Sequence, residues 1–403
     1  MIGSSEKRTV AFYKWEARGR GFRVWPHPVC PEPLFEPFGF ERGEPEVADD
    51  GRKPTFLSSA IRRLSERLAP SPLRNKETVE DDEPMPPVLV RETLVELQAH
   101  LPSRLELDAG RYAALFTSLS VCAEPVAFEI VATAERMTAQ FAVHPRDEKL
   151  ARRQFASFLP NVPLVPTEGF LEGAWGDAGE SHAALVEFGL GKEFMVPFQA
   201  GRSDPFVGLV GALSEIEDDE AALFQVIFAP AVSSWEESIM RSVTHGDGSA
   251  MFINAPELLP GAKEKTAERL FAAVLRVATR SPVHERAWEI ALNIAGALGA
   301  YGSARGNELI PLSNDGYPEH EHELDLLSRQ TRRSGMLLNA SELVGFAHLP
   351  SSDVHLPLLR KDEDRTKAAP QSVRDSRGMR LGVNRHAGVA TPVHLPVEAR
   401  VRH

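Results

Sequence analysis

Residues 126–144, VAFEIVATAERMTAQFAVH, contain two β-strands joined by a short connection. The strands span 126–133 and 137–144. The second strand alternates in polarity, with its apolar residues at Met137, Ala139, Phe141 and Val143. Alternation of this kind is typical of a strand with one buried face, and so short a connection joins antiparallel neighbours. The pattern therefore predicts a β-hairpin.

The segments around the hairpin predict a first α+β domain over residues 85–200. Residues 88–100 have a helical pattern, and a strand is predicted at 182–191. Between them, 145–160 is predicted to be an amphipathic helix with apolar residues at Ala151, Phe155, Phe158 and Leu159. A sheet with its helices on one face follows from this β-β-α-β order.

A second α+β domain is predicted for residues 201–320. The segments are a helix at 204–216, a strand at 222–230, a partly helical stretch at 257–270, a strand at 271–280, a helix at 283–300 and an extended stretch at 307–312. The long helix is expected to bury Trp288, Ile290, Ile294 and Leu298. The predicted fold class is therefore α+β, with two small ferredoxin-like sandwiches.

Residues 1–84 are predicted to be an irregular, extended arm. Residues 24–40 alternate proline with aromatic residues, which prevents both helix and central strand. Such a segment is expected to cross another surface, anchored by Trp25, Phe35, Phe38 and Phe40. A basic helix at 56–70 and an acidic, proline-rich linker at 75–87 follow.

Residues 321–403 are predicted to form a pair of helices and a C-terminal strap. The second helix, 340–350, begins with Asn339 and Glu342 in the spacing of a capping box. The charged stretch 361–380 is expected to be exposed. Residues 384–388, NRHAG, predict a turn between two short extended runs.

The composition is that of an ordinary globular protein. The chain has 403 residues, 42% apolar and 25% charged, and a net charge of −12. Two cysteines exclude a disulfide framework, and neither an apolar signal segment nor an 18-residue apolar run occurs. We therefore expect a cytoplasmic protein without a membrane span.

The sequence contains no motif of a catalytic or cofactor site. The fragment GLGKEF, 189–194, lacks the glycine spacing and the Ser or Thr of a phosphate-binding loop. Cys122 has no histidine nearby in sequence and is interpreted as a buried thiol. The cluster HEHELD, 320–325, places its histidines at i, i+2, on opposite sides of a helix, so a solvated first turn is favoured over a metal site. We expect no cofactor in this chain.

Three basic clusters are candidates for nucleic-acid or subunit contacts. They contain Arg18 and Arg20, then Arg62 and Arg63, and finally Arg329, Arg332 and Arg333. Arginine binds phosphate well, but on a helix it is more often part of a solvated face or of an intersubunit salt bridge. Both interpretations remain open from the sequence.

The C-terminal residues resemble a known family. The runs GMLLNASELVGFAHLPSSDV, 335–354, and LGVNRHAGVATPVHLPVEARVRH, 381–403, are similar to the segment before the Walker A strand of HerA-like and type IV secretion (conjugative DNA transfer) ATPases. Residues 124–143 and 204–230 also look like the N-terminal region of these ATPases. The resemblance implies that Gly382, Asn384 and Gly388 form a turn next to a motor domain.

The resemblance also implies a role in assembly, in the cytoplasm and at the periphery of a membrane secretion complex. The Walker motifs are absent from these 403 residues, so ATP and magnesium are implied only for a longer parent or a partner chain. The implied partners are further copies of this chain, as a homo-oligomer such as a hexamer, or a P-loop ATPase, with DNA contact through a local basic face. A stand-alone adaptor in a secretion or phage-defence system is the alternative, and an independent hydrolase is the third hypothesis. Under the first hypothesis, residues 381–403 are expected to be poorly tied to the rest of the chain.

Overall fold

The computed structural model describes residues 4–39, 85–89, 93–102, 104–176, 181–199, 204, 206–245, 247–354, 358–359, 361–362, 369–374, 378–386 and 389–396. Ten α-helices lie in these ranges: α1 Ser4–Glu16, α2 Ala109–Leu119, α3 Glu148–Phe158, α4 Phe170–Trp175, α5 Phe206–Leu213, α6 Trp235–Val243, α7 Leu258–Lys265, α8 His284–Leu298, α9 Glu319–Leu327 and α10 Ala340–Ala347. The strands are β1 Val95–Ala99, β2 Leu101–Pro102, β3 Val126–Thr133, β4 Met137–Val143, β5 Leu164–Thr167, β6 His182–Leu190, β7 Ala221–Pro230, β8 Leu270–Ser281, β9 Leu309–Pro311, β10 Met336–Asn339, β11 Lys361–Asp362, β12 Gly378–His386 and β13 Val389–Pro396.

A nine-stranded antiparallel sheet forms the centre of the protein. Its strand order is β5-β1-β4-β3-β7-β8-β6-β9, and β10 pairs with the first residues of β8. The predicted hairpin is confirmed as β3 and β4, with Phe128 opposite Phe141. The α+β class is confirmed as well. Strands of both predicted sandwiches lie in this one sheet, because β3 of the first pairs with β7 of the second.

Two predictions about the first half of the sheet were wrong. The segment 88–100, predicted as a helix, contains β1, which lies between β4 and β5. Pairing on both sides outweighs its helical pattern, since secondary-structure propensity is weaker than tertiary contacts. The strand predicted to complete the first domain, β6, instead pairs with β8 and β9.

Most helices cover one face of the sheet and enclose the main apolar core. Helices α5 and α8 pack on each other, and α8 packs on β6 and β8. Ile290, Ile294 and Leu298 of α8 are buried, as predicted, but Trp288 is 37% exposed. The inward stripe runs through Ala287, Ile290, Ala291, Ile294 and Leu298. Trp288 is rotated about 100° from the start of that stripe, so it lies at the edge of the interface.

The N-terminal arm crosses the protein surface, as predicted for its proline-rich part. Trp25 and Phe38 are buried, and the Glu32 carboxylate accepts hydrogen bonds from Ser233 N (2.9 Å) and Trp235 Nε1 (3.1 Å). The expectation of a wholly irregular arm was wrong, because residues 4–16 form helix α1. Phe40, the basic helix at 56–70 and most of the acidic linker lie outside the described residues.

The C-terminal strap ends in a separate hairpin. Strands β12 and β13 pair with each other, and among the described strands they make no ladder with the main sheet. The capping box of α10 is confirmed: the Asn339 side chain accepts from Glu342 N, and Glu342 accepts from Asn339 N. No helix among the described residues is long and apolar enough to cross a bilayer.

Candidate functional site

A row of polar side chains crosses the second face of the sheet. Five adjacent strands, β4, β3, β7, β8 and β6, each place one polar residue in direct register with the next. These residues are Gln140, Glu129, Gln225, Arg276 and Glu187, and we call them the polar row. All five are fully buried. A buried polar group is tolerated only when it has partners, so the row needs a matching cover.

Hydrogen bonds join four members of the polar row. Gln140 Nε2 donates to Glu129 Oε2 over 2.7 Å, and Gln225 Nε2 donates to Glu129 Oε1 over 2.6 Å. Arg276 Nε then donates to Gln225 Oε1 over 2.6 Å. Apolar residues lie along the strands beside the row, including Val131, Leu223 and Ala278. The row is therefore a polar line within an otherwise apolar surface.

Helix α9 and residues 328–334 cover the polar row. The helix ends in a Schellman motif, in which Arg329 N bonds to Leu326 O and Gln330 N bonds to Asp325 O. Arg329 occupies the left-handed position of that motif, with φ of 54°, where glycine is usual. An arginine held in this conformation indicates that its side chain is needed at this place.

Arg329 supplies the positive charge for two buried carboxylates. Its Nε donates to Glu129 Oε1 over 2.9 Å, and its Nη2 bonds to Glu96 Oε1. Burial alone would raise the pKa of Glu129, but Arg329 outweighs burial and lowers that pKa below its usual value. Glu129 and Glu96 in turn raise the pKa of Arg329, so the Arg329–Glu129 pair remains charged.

Glu187, at the other end of the row, faces two arginine side chains and one histidine. Arg333 Nε donates to its Oε2 over 2.6 Å. Its Oε1 lies 3.8 Å from Arg276 Nη1 and 3.7 Å from His322 Nε2, beyond hydrogen-bond distance. Burial raises the pKa of Glu187, yet His322, Arg333 and Arg276 together hold it at about 2. The carboxylate is therefore ionised at neutral pH.

A second layer of polar contacts fixes α9 from above. Asp325 Oδ2 accepts from Arg332 Nε (2.8 Å) and from the Tyr317 hydroxyl (2.9 Å). Arg332 also bonds to the carbonyl oxygen of Pro26, which connects α9 to the N-terminal arm. His322 and Asp325 are buried, so the interpretation of HEHELD as a solvated turn was wrong. Among the described residues, no group of three His, Cys, Asp or Glu side chains could hold a metal ion.

Arg329, Arg332 and Arg333 were candidates for nucleic-acid or subunit contacts, and the structure corrects that interpretation. All three are buried against carboxylates of this chain. Their guanidinium groups have found partners inside the fold, so they do not present a basic surface. The network holds α9 on the sheet and offers no reactive group to a solute.

The first basic cluster is also engaged in contacts within the chain. Arg18 pairs with Glu36. Arg20 donates from Nε to Leu190 O over 3.1 Å, and its Nη1 lies 3.4 Å from Glu16 Oε1. Burial raises the pKa of Glu16 to about 7 despite Arg20. Arg62 and Arg63 lie outside the described residues.

The predicted motor-proximal turn lies in the separate hairpin. Gly382 follows a register shift in β12, and Asn384 Oδ1 accepts from Ala369 N over 3.0 Å. Gly388 lies outside the described residues. The side chains of Met379 and Leu381 are 50% and 58% exposed, so the described chain leaves part of the apolar surface of β12 uncovered.

The neighbouring sequence candidates have structural roles. Lys192 of the GLGK fragment donates from Nζ to the carbonyl oxygens of Ser303, Ala304 and Gly306, so it is not arranged to bind a phosphate. Cys122 is buried, as predicted, and burial raises its pKa to about 12. A thiol with that pKa is a poor nucleophile.

An open bowl of about 970 Å³ lies at the β3–β4 turn end of the sheet. Trp175 and Phe170 line its wall, and the Arg136 guanidinium stacks on Phe170 at 4.4 Å. Glu135, Asp218 and Asp219 lie at its exposed rim. None of these three carboxylates forms an ion pair with another described residue. The rim therefore has an excess of negative charge.

The polar row was missed by the sequence interpretation, although a signal was present. Three of the buried strands carry one charged or amide residue amid apolar ones, in VAFEIVAT (126–133), ALFQVIFA (222–229) and AAVLRVAT (272–279). A recurring polar residue at the centre of apolar runs predicts a shared polar line when the strands are neighbours.

Comparisons with known proteins give little further guidance. No family model matches the chain, and no curated protein matches its sequence. One solved structure with partial similarity is a xylooligosaccharide oxidase from Myceliophthora thermophila C1 in complex with xylobiose, at 12% identity and a TM-score of 0.28. The match covers 59% of this chain and 50% of that chain. A likeness at this TM-score supports no conclusion about fold or function.

Proposed function

We propose that the chain is the assembly and docking region of a DNA-translocating ATPase of the conjugation or HerA type, and that it does not contain the motor. The motor-lead-in resemblance of residues 335–354 and 381–403 is the basis of this proposal. ATP and magnesium would be bound elsewhere, since the sequence contains no Walker A pattern and Lys192 Nζ donates to carbonyl oxygens. We place the protein in the cytoplasm.

The observation that supports the proposal best is the separate hairpin. The later part of the segment that resembles a motor lead-in, β12 and β13, pairs only with itself among the described strands and leaves Met379 and Leu381 exposed. An isolated two-stranded hairpin is marginally stable in water. A neighbouring domain or chain would supply the missing contacts.

The central sheet supports a rigid assembly role. Four strands, β5-β1-β4-β3, lie on one side of the β3–β7 junction, and β7-β8-β6-β9 lie on the other. We propose that the two expected sandwiches are fused edge to edge in this sheet, with β6, which the sequence assigned to the first sandwich, lying in the second set. The buried network of Arg329, Glu129 and Glu96 would then keep the fused body stiff under load.

Light scattering after size exclusion tests the proposal. The chain is measured alone and joined to a P-loop motor domain, across a range of concentrations. We expect an oligomer in the joined form and DNA-stimulated ATP hydrolysis from it. A strict monomer in both forms contradicts the proposal.

The second candidate is a stand-alone adaptor that binds a separately encoded P-loop ATPase. The exposed hairpin favours this function equally, because it would serve as the docking segment. Affinity capture with the full chain separates the two candidates. Recovery of a P-loop ATPase supports the adaptor, and recovery of none removes it.

A further inference from the structure

Three buried polar atoms between the sheet and helix α9 have no hydrogen-bond partner among the described residues. They are Glu187 Oε1 of β6, Arg276 Nη1 of β8 and His322 Nε2 of α9. Glu187 and Arg276 are fully buried, and His322 is only 6% exposed. A buried polar atom without a partner is costly and rare in folded proteins, so three such atoms in one place indicate a missing common partner.

The three atoms form one cluster. Glu187 Oε1 lies 3.8 Å from Arg276 Nη1 and 3.7 Å from His322 Nε2. Both distances exceed the limit of about 3.2 Å for a direct N–H···O hydrogen bond. Polar groups separated by more than about 3.5 Å are often bridged by a small molecule that bonds to both. A molecule bound to Glu187 Oε1 would therefore also be positioned to meet the two nitrogens.

The cluster lies at a gap in the polar row. Hydrogen bonds run along the row from Gln140 to Arg276 Nε and do not continue to Glu187, the fifth member. The other carboxylate oxygen of Glu187 accepts from Arg333 Nε over 2.6 Å, so Oε1 is the oxygen left for the row. A bridging molecule would extend the row to its last member and connect it to α9.

The hydrogen-bonding chemistry of the cluster determines what it can bind. Glu187 is ionised, since its pKa is held at about 2, so its Oε1 only accepts, whereas Arg276 Nη1 only donates. The ligand must therefore donate to one atom and accept from the other. The Glu187 carboxylate repels an anion, the guanidinium groups of Arg276 and Arg333 repel a metal cation, and ammonium cannot accept. Water both donates and accepts, and it suits either tautomer of His322.

We propose that one ordered water molecule is bound between Glu187, Arg276 and His322 as a part of the folded structure. Three hydrogen bonds are the usual number for a buried water. The water joins β6, β8 and α9 and completes the polar row. Because the site is internal to the fold, it exists whether or not the chain works beside a motor domain.

A crystal structure at a resolution that reveals ordered water tests the site. We expect a water within about 2.7–3.2 Å of Glu187 Oε1, Arg276 Nη1 and His322 Nε2. The inference is wrong if Glu187 Oε1 contacts either nitrogen directly and no water lies between them. An anion or a metal ion at this position, identified by its anomalous scattering, also overturns it.

Nuclear Overhauser effects between water and histidine ring protons test the site in solution. A long-lived internal water should give His322 a cross peak with the sign of a bound molecule. His348 is the internal control, because it is fully buried and its ring nitrogens lie 2.7 Å from Val344 O and 3.0 Å from Asp204 Oδ1. We expect no such cross peak for His348.

Tyr317→Phe removes a second source of that signal. The Tyr317 ring stacks on His322 with centroids 3.9 Å apart, and its hydroxyl, which donates to Asp325, could transfer water magnetisation by proton exchange. The His322 cross peak should persist in this variant. Its loss in Tyr317→Phe, or an equal cross peak for His348, contradicts the inference.

Discussion

Arg329 and Glu129 are 200 residues apart in sequence, and Arg329 Nε donates to Glu129 Oε1 over 2.9 Å beneath helix α9. The same guanidinium also bonds to Glu96. One arginine thus neutralises carboxylates from two strands, β1 and β3, that β4 separates in the sheet. Loss of this arginine leaves two buried carboxylates without their positively charged partner.

Arg329→Ala is expected to destabilise the fold by about 3–5 kcal/mol, because removing one partner of a buried ion pair exposes the other to an uncompensated burial cost. Urea denaturation measures the change. Arg152→Ala is the matched control, since Arg152 pairs with Glu148 on an exposed helix surface and should cost about 0–1 kcal/mol. Equal effects of the two substitutions contradict the role given to Arg329.

Glu16 is expected to make the fold less stable as the pH rises through neutrality. Its folded pKa is about 7, above the usual value for a glutamate, because it is buried. The folded state therefore binds a proton that the unfolded state has already lost between about pH 4.5 and 7, so stability falls over that window. Nearby Glu193 adds to the effect, and Arg20 opposes it.

Glu16→Gln provides the test for that pH dependence. The difference between the unfolding profiles of the unmodified chain and Glu16→Gln from pH 5 to 8 isolates this group from the histidines. We expect the variant to gain stability relative to the unmodified chain at pH 8 and to lose that gain at pH 5. If the stabilities of the two proteins change in parallel from pH 5 to 8, Glu16 does not cause the pH dependence.

Replacing Glu342 is expected to reduce the stability of the fold more than replacing its capping partner, Asn339. Asn339→Ala removes a helix cap and should cost about 1 kcal/mol. Glu342→Ala also strands Lys265, whose Nζ donates to Glu342 Oε2 over 2.7 Å and which is fully buried, so several times that loss is expected. Thermal unfolding of the two variants compares them. A smaller loss for Glu342→Ala contradicts the charge argument.

The rate of amide hydrogen exchange is expected to differ strongly between the β12–β13 hairpin and the central sheet. The backbone of 381–386 and 389–396 is expected to exchange fast in dilute monomer, because its ladder is two-stranded and exposed. The central strands β3, β7 and β8 should exchange slowly. Addition of a motor domain, or a rise in protein concentration that favours self-association, should slow exchange in the hairpin. Slow exchange in the dilute monomer contradicts the expectation.

Ile294→Ala and Trp288→Ala are expected to reverse the order that residue size alone suggests. Ile294 is fully buried, so its truncation should cost about 2–5 kcal/mol. Trp288 is 37% exposed, so its truncation to alanine should reduce stability by less. Chemical denaturation ranks the two. A larger loss at Trp288 would show that α8 is rotated relative to the packing described above.

The sequence predicts where individual helices and strands lie better than it predicts which strands pair with each other. Alternation in 137–144 and the Asn339–Glu342 spacing depend on local geometry, and both were confirmed. The place of β6 was not predictable, because its partners β8 and β9 lie about 80 to 130 residues later and periodicity does not identify partners. For the same reason Arg329 looked like a surface arginine, since Glu96 and Glu129 are distant in sequence.

The polar row also has a consequence for folding. Side chains alternate along a strand, so slippage of one residue between any two of its five strands would turn a charged or amide side chain into the apolar core beneath α5 and α8. The mispaired sheet would then bury a lone carboxylate or guanidinium among phenylalanine rings. One central polar residue therefore fixes the register of each strand relative to its neighbours. The free-energy cost of a wrong register grows with every strand that joins the sheet. A sheet whose partners come from far along the chain can assemble in only one alignment.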